Sequence, residues 1–264
     1  MLDSEAGIEL VIEDAVATLR LNRPEHGNAL SLSLVQRFSE LAADIDADRK
    51  VRAVLLTGTG RFFCVGGDIS AFKQSGDGLP SLMKIITGHL HTAMSRLARM
   101  EKPLVVAVNG PAAGAGLGLA ALGDIVLASV EAHFSMAYTA IGFTPDGGTS
   151  ALLPRLIGLR RTQEMALTNR RVSAPEATEI GLVTRIVQPD ELQVEAHVLA
   201  RKLAEGPTRA YGAIRQLLLS APGNGFEAQM ELEARLISNA AASADGGEGI
   251  TAFLGKRRPV FTGV

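Results

Sequence analysis

Pro103-Leu-Val-Val-Ala-Val-Asn109 is an apolar, β-branched run halted by Gly110-Pro111, and the chain resumes as Gly114-Ala-Gly-Leu-Gly118. The first segment reads as a buried strand and the second as the start of a Gly/Ala-rich helix. Upstream, Val51-Arg-Ala-Val-Leu-Leu-Thr57 has the same strand character and is stopped by Gly58 and Gly60. Residues 81–100, between the two runs, read as helix. Strand, helix and strand in that order predict a βαβ unit, and hence a parallel sheet with right-handed crossovers.

Working outward, residues 8–21 predict a hairpin that turns at Glu13-Asp14 and alternates through Val16, Thr18 and Arg20. Residues 31–48 place Leu34, Phe38, Leu41, Ala42 and Ile45 at helical spacing, with Ser31 or Ser33 available as N-cap. Asp124-Ile-Val-Leu-Ala128 is a third strand. Helical stretches follow at 152–157, 160–168 and 175–181, then a short extended piece at 183–187. From 190 to about 254 the pattern is helical, broken at Gly206-Pro207 and at Ala221-Pro-Gly-Asn-Gly225. The expected organisation is an α/β core over residues 1–189 and a helical subdomain over 190–264, packed on the core or on a neighbouring subunit.

Charge and cysteine content narrow the function classes. A net charge of −2 with no basic cluster speaks against nucleic acid or a membrane surface as partner. Cys64 is the only cysteine, which excludes an intramolecular disulfide and a Cys-rich zinc site and suits a reducing, cytoplasmic setting. The acidic start, MLDSEAGIELVIED, does not read as a secretory signal, and no apolar stretch reaches the ~20 residues a membrane span requires.

Three glycine-rich junctions sit where a strand gives way to a helix, the edge at which open parallel sheets bind ligands. In Gly60-Arg-Phe-Phe-Cys-Val-Gly-Gly-Asp-Ile69 the consecutive glycines permit close approach of a ligand to main chain, with the amides of Gly67 and Asp68 free to donate. The junction at 109–118 precedes a helix, whose first amides lack intrahelical partners and favour an anion. Thr144-Pro-Asp-Gly-Gly-Thr149 is the third. The glycines at 110, 114, 116 and 118 match neither the dinucleotide fingerprint nor the P-loop, so a nucleotide site is disfavoured.

Together these segments resemble the enoyl-CoA hydratase/isomerase, or crotonase, family over nearly the whole chain. Asn22-Arg-Pro-Glu-His-Gly-Asn-Ala-Leu30 is similar to that family's N-terminal CoA-binding loop, Phe63–Ile69 to its first oxyanion segment, and Lys102–Gly110 with Gly114-Ala-Gly116 to its second. Pro145–Thr149, Leu167–Arg170, Gly181–Val183 and Ala252-Phe-Leu-Gly-Lys256 match further signatures. The resemblance implies a crotonase-like ββα superhelix of stacked parallel sheets and helices. It also implies an acyl-CoA substrate with no prosthetic group and no metal, and assembly as a homotrimer or a dimer of trimers. By position, the backbone amides of Gly67 and Ala115 form the oxyanion hole. Glu25, Gly27, Ala29, Gly66, Asp68 and Ile69 line the CoA groove, and Phe253 and Lys256 approach the CoA from the tail, of this or the next subunit.

One departure from the family pattern bears on the reaction. Hydration in this family uses two glutamates that hold one water, and the matching positions here are Gly118 and Tyr138, which with Gly114 are expected to line the acyl pocket. Without that carboxylate pair, efficient hydration is not expected. Asp146, eight residues beyond Tyr138, matches an aspartate that moves protons in dienoyl-CoA isomerases and in the ring-type isomerases of phenylacetate breakdown. The same residue type before Gly-Gly-Thr also suits a helix cap.

His91 lies twelve residues before Pro103, as does the catalytic histidine of 4-chlorobenzoyl-CoA dehalogenase, whose nucleophilic aspartate matches Asp146. It equally fits a half-buried helix residue. That dehalogenase surrounds its aryl ring with aromatic residues, whereas this chain has no tryptophan and presents Gly67, Leu90 and Tyr138 at the matching places. Three readings follow from the resemblance: an isomerase using Asp146, a hydrolase of an aromatic acyl-CoA using Asp146 and His91, and a non-catalytic acyl-CoA binder.

Overall fold

The computed structural model describes residues 6–264. Its strands are β1 (Ile8–Glu13), β2 (Val16–Leu21), β3 (Ala53–Gly58), β4 (Leu104–Val108), β5 (Ala112–Ala113), β6 (Ile125–Ser129), β7 (His133–Ser135), β8 (Val172–Ser173) and β9 (Arg185–Val187). The main sheet runs β1-β2-β3-β4-β6-β9, with an antiparallel β1–β2 hairpin and parallel pairing throughout the rest. A second sheet, β5-β7-β8, lies beyond it. The hairpin turns at Asp14-Ala15, one residue later than expected, with both residues at positive φ (49° and 60°), the backbone a two-residue turn needs to match strand twist.

The helices are α1 (Leu32–Ala47), α2 (Ile69–Gln74), α3 (Leu79–Arg99), α4 (Ala115–Ala121), α5 (Thr149–Ile157), α6 (Leu159–Thr168), α7 (Ala174–Glu179), α8 (Leu192–Ala204), α9 (Thr208–Ser220), α10 (Phe226–Ala241) and α11 (Ala244–Leu254). Ser31 caps α1, its hydroxyl accepting the Leu34 amide at 3.3 Å. The short α2 and the individual strands of the second sheet have no periodicity to read, being segments of two to six residues, so that only the resemblance implied stacked sheets.

Alternation along β3 and β4 divides the core in two. Val54 and Leu56 of β3, with Leu104, Val106 and Val108 of β4, join the large cluster beneath α1, α3 and α4. Leu55, Val105 and Ala107 face the other way, onto Leu192, Ala196, Ala200 and Ala204 of α8. That alanine ridge lets α8 lie close on the sheet, so α8 completes the core although it falls in the 190–264 segment. The helices that leave the sheet are α9–α11.

Two buried cations tie these layers together. Lys102 is 6% exposed and donates to the carbonyls of Ile45, Asp46 (3.0 Å) and Asp48 (2.8 Å) at the end of α1. Arg215 of α9 is 8% exposed and donates to Leu97 O (2.7 Å), Met100 O and Lys102 O (2.8 Å) at the end of α3, while its guanidinium pairs with Asp124 at 2.8 Å. Both place positive charge where helix carbonyls have run out of amide partners.

Candidate active site

Because β3 and β4 are parallel neighbours, the loops that follow them leave the sheet side by side. Two asparagines hold the first loop. Asn109 accepts Gly58 N (3.2 Å) and donates to Gly60 O (2.9 Å), and buried Asn28 donates to Thr59 O (2.9 Å) and Phe62 O (2.7 Å). Residues 64–66 then run between two strands of chain. On one side Val65 N donates to Gly27 O (3.1 Å) and Leu30 N to Gly66 O (2.8 Å); on the other, Cys64 N donates to Pro111 O (3.2 Å) and Ala113 N to Cys64 O (2.9 Å).

The start of α4 closes on this loop main chain to main chain. A Cβ on Gly116 would stand 2.2 Å from Cys64 O, and one on Gly66 would stand 3.0 Å from Ala113 O and 3.6 Å from Ala115 N. Gly66 and Gly114 also hold positive φ, 96° and 54°. The two turns therefore meet, and among the described residues neither Gly67 N nor Ala115 N donates to any protein atom. Paired, uncommitted amides at a helix start are what an oxyanion needs.

Both residues line a cavity of about 680 Å³ whose walls are largely apolar and include Ile69, Met83, Ile86 and Leu90 and the stacked rings of Phe72 and Phe143 (centroids 6.2 Å apart). Asp146 and Tyr138 line it too. The Tyr138 hydroxyl donates to Asp146 Oδ1 at 2.8 Å, and burial together with the neighbouring carboxylate pushes the phenol far above its ordinary range. The carboxylate of Asp146 does not cap a helix. It is the main-chain carbonyl of Asp146 that accepts Thr149 N (3.1 Å) and Thr149 Oγ1 (2.8 Å) as α5 begins.

Two of the residues expected in the catalytic group and the acyl pocket stand elsewhere. His91 accepts the Gly147 amide on Nε2 at 3.1 Å and lines a separate groove with Asp46 and Arg96. The nitrogen that would take a proton from water is already an acceptor, so His91 supports the Asp146 turn from outside rather than acting inside the cavity. Gly118 lies behind the cavity wall, where a Cβ would stand 2.3 Å from Gly147 O; the α4 backbone is closed against the Asp146 turn and leaves no room for a side chain. Gly114 lines the cavity as expected.

Of the residues expected along the CoA groove, Gly66 and Ile69 line the cavity mouth, Gly27 and Ala29 flank the first turn, and Glu25 is exposed on a short 3-10 turn. Asp68 spends its carboxylate on structure, accepting Ala71 N (3.2 Å) as the cap of α2 and Arg23 Nη2 (3.1 Å). Partial burial opposes its ionisation, but the Ala71 amide and the Arg23 guanidinium prevail and hold it below the usual carboxylate range. Phe253, 83% exposed, and Lys256 are not among the residues lining their own chain's cavity. Tyr138 was expected in the acyl pocket, but its bond to Asp146 and the Phe72–Phe143 stack had no signal in the sequence.

The family profile described as Enoyl-CoA hydratase/isomerase matches residues 11–264. The 1,2-epoxyphenylacetyl-CoA isomerase of Escherichia coli (strain K12) is 40% identical over 253 residues, 96% of this chain and 97% of that protein. The 4-chlorobenzoyl coenzyme A dehalogenase-2 of an Arthrobacter species is 34% identical over 232 residues, 88% of this chain and 84% of that one. Among solved structures, an enoyl-CoA hydratase from Polaromonas sp. JS666 superimposes with a TM-score of 0.92 at 31% identity, covering 96% of this chain and 99% of that one.

Proposed function

Because the chain belongs to the enoyl-CoA hydratase/isomerase family, we propose that it is an acyl-CoA isomerase that shifts a double bond by proton transfer through an enolate. The observation that carries this reading is the pairing of functions in one cavity. Asp146 is the only carboxylate among its lining residues, and it shares that space with the uncommitted amides of Gly67 and Ala115. A thioester oxygen seated between those amides acidifies the neighbouring C–H bond, each donor lowering the barrier by about 3 kcal/mol. Asp146 then accepts the proton and returns it at another carbon of the delocalised enolate. Relatives at 40% and 37% identity are named as an isomerase and a probable hydratase, so the choice between the two rests on the cavity.

Hydration requires a second carboxylate to hold water. The Gly118 position is closed by Gly147 O, and Tyr138 turns its hydroxyl on Asp146. Hydrolysis with Asp146 as nucleophile requires a group to activate water on the resulting ester, and His91, the candidate, faces Gly147 N instead.

The test is turnover of trans-3-hexenoyl-CoA, crotonyl-CoA and 4-chlorobenzoyl-CoA by the wild type and by Asp146→Asn. The wild type should convert only the 3-enoyl ester, and Asp146→Asn should lower kcat about 10³-fold while still binding the ester. Turnover that survives Asp146→Asn, or hydration of crotonyl-CoA as fast as isomerisation, refutes the reading.

A further inference from the structure

Tyr138 occupies the place where a hydratase would carry a water-holding acid, and its contacts reach both halves of the site. Its ring edge lies 3.9 Å from the position of a Cβ on Gly114, directly before the Ala115 amide. Its hydroxyl ends on Asp146 Oδ1 at 2.8 Å, with a second, longer contact to Asp146 O at 3.2 Å. One rigid phenol thus spans the gap between the main chain that would hold the thioester oxygen and the carboxylate that would take the proton. The two oxygens of Asp146 are not equivalent. Oδ1 is engaged, whereas Oδ2 accepts no hydrogen bond from any described residue.

Besides Asp146 and Tyr138 the cavity has no titratable side chain among its lining residues, and its other side-chain hydroxyls are those of Thr87, which donates to Met83 O at 2.7 Å, and Thr144. Burial and the Asp146 charge hold the Tyr138 phenol protonated, so it remains a donor and does not receive the substrate's proton.

Resting on the isomerase reading, we propose that Tyr138 is a positioning residue that selects Oδ2 of Asp146 as the single proton carrier, so that a proton taken from one carbon of the acyl chain goes back to another. In the forward step the C2–H bond breaks, its electron pair enters the dienolate, and an O–H bond forms at Oδ2. In the return step that O–H bond breaks, the proton joins C4, and the dienolate electrons form the new C–H bond and the 2,3 double bond. Charge and atoms balance with no co-reactant.

The bland account of Tyr138 is packing, since a tyrosine against a core turn commonly does no more. Kinetics with trans-3-hexenoyl-CoA deuterated at C2 separate the two. For the wild type, part of the label should appear at C4 of the product. Tyr138→Phe should lower kcat by about 10- to 100-fold through a misplaced base, leave KM within about twofold, and lose the label to solvent. Unchanged kcat or unchanged label transfer in Tyr138→Phe overturns the proposal, as does a loss of activity carried by KM alone.

Failure of the underlying isomerase reading has a different signature: the wild type and Asp146→Asn then behave alike. In that event a crystal structure of Tyr138→Phe decides, because an Asp146 carboxylate that keeps its rotamer without the phenol overturns the positioning role, and one that swings or splits upholds it.

Discussion

The two halves of the site are built on opposite plans. Around residues 64–67 and 112–118 the chain presents main chain to main chain so closely that a Cβ on Gly116 would stand 2.2 Å from Cys64 O. Around 138–149 two side chains meet across open space, the Tyr138 hydroxyl on the Asp146 carboxylate. In the first half the chemistry belongs to amides, which every residue carries, and the sequence contributes by omitting side chains. In the second the chemistry depends on which side chain is present. A family can therefore keep the enolate-stabilising half unchanged while exchanging the groups that decide what becomes of the enolate.

Gly118→Glu bears hardest on this contrast, because it asks the backbone half to accept a catalytic side chain. Its Cβ would stand 2.3 Å from Gly147 O and 3.3 Å from Thr149 Cγ2, so α4 or the Asp146 turn must move. The expected cost is about 3 kcal/mol, read as a fall in Tm of roughly 6–12 °C. Crotonyl-CoA hydration should not appear, and displacement of the Asp146 turn should reduce any isomerisation. A stable Gly118→Glu protein that hydrates crotonyl-CoA would erase the distinction between the halves.

The same contrast explains what could be read before the structure. The buried runs of β3 and β4 are long enough to show their character, and closely spaced glycines announce a main-chain site because a missing side chain is itself visible in a sequence. The resemblance then located Gly67 and Ala115, which the structure brings together. Other features depend on distance in the chain. Gly147 N meets His91 Nε2 across 56 positions, and Gly118 meets Gly147 O through the packing of α4 on α5. Neither meeting has a local pattern, so His91 was open to a reading as a water activator and Gly118 to one as pocket lining. The strands of the β5-β7-β8 sheet show no pattern of their own for a simpler reason, having only two or three residues, and the resemblance alone implied a stacked sheet.

Gly67→Ala is a gentler probe of the backbone half. Gly67 does not hold a positive φ, and the atoms its Cβ would meet, at 2.5 and 2.8 Å, belong to the ring of Phe72 rather than to main chain. That ring has the open cavity beside it. The expected outcome is a loss of about 1 kcal/mol of stability with kcat within about threefold of wild type, since the donating amide stays in place. Gly67→Ala with native stability but no activity would mean that space at Gly67, not its N–H, is what the reaction uses.

Cys64 supplies the smallest expected effect and the most direct view of whether the converging turns stay closed. The residue is fully buried between the 27–30 segment and the start of α4, with Ala113 N bonded to its carbonyl and the Gly116 backbone pressed against it. Burial pushes its thiol up to about 12, outweighing a Gly66 amide contact that acts the other way. Since the thiolate is the reactive form, iodoacetamide at pH 8 should leave the native protein unmodified over hours, while the protein unfolded in guanidinium reacts within minutes. The amides of Gly67 and Ala115 hold their alignment only while these segments remain together, and Cys64 is reached only when they part. Alkylation of the native protein at a rate near that of the unfolded chain would therefore show the main-chain half opening readily, and would remove the preorganisation on which its advantage over the side-chain half rests.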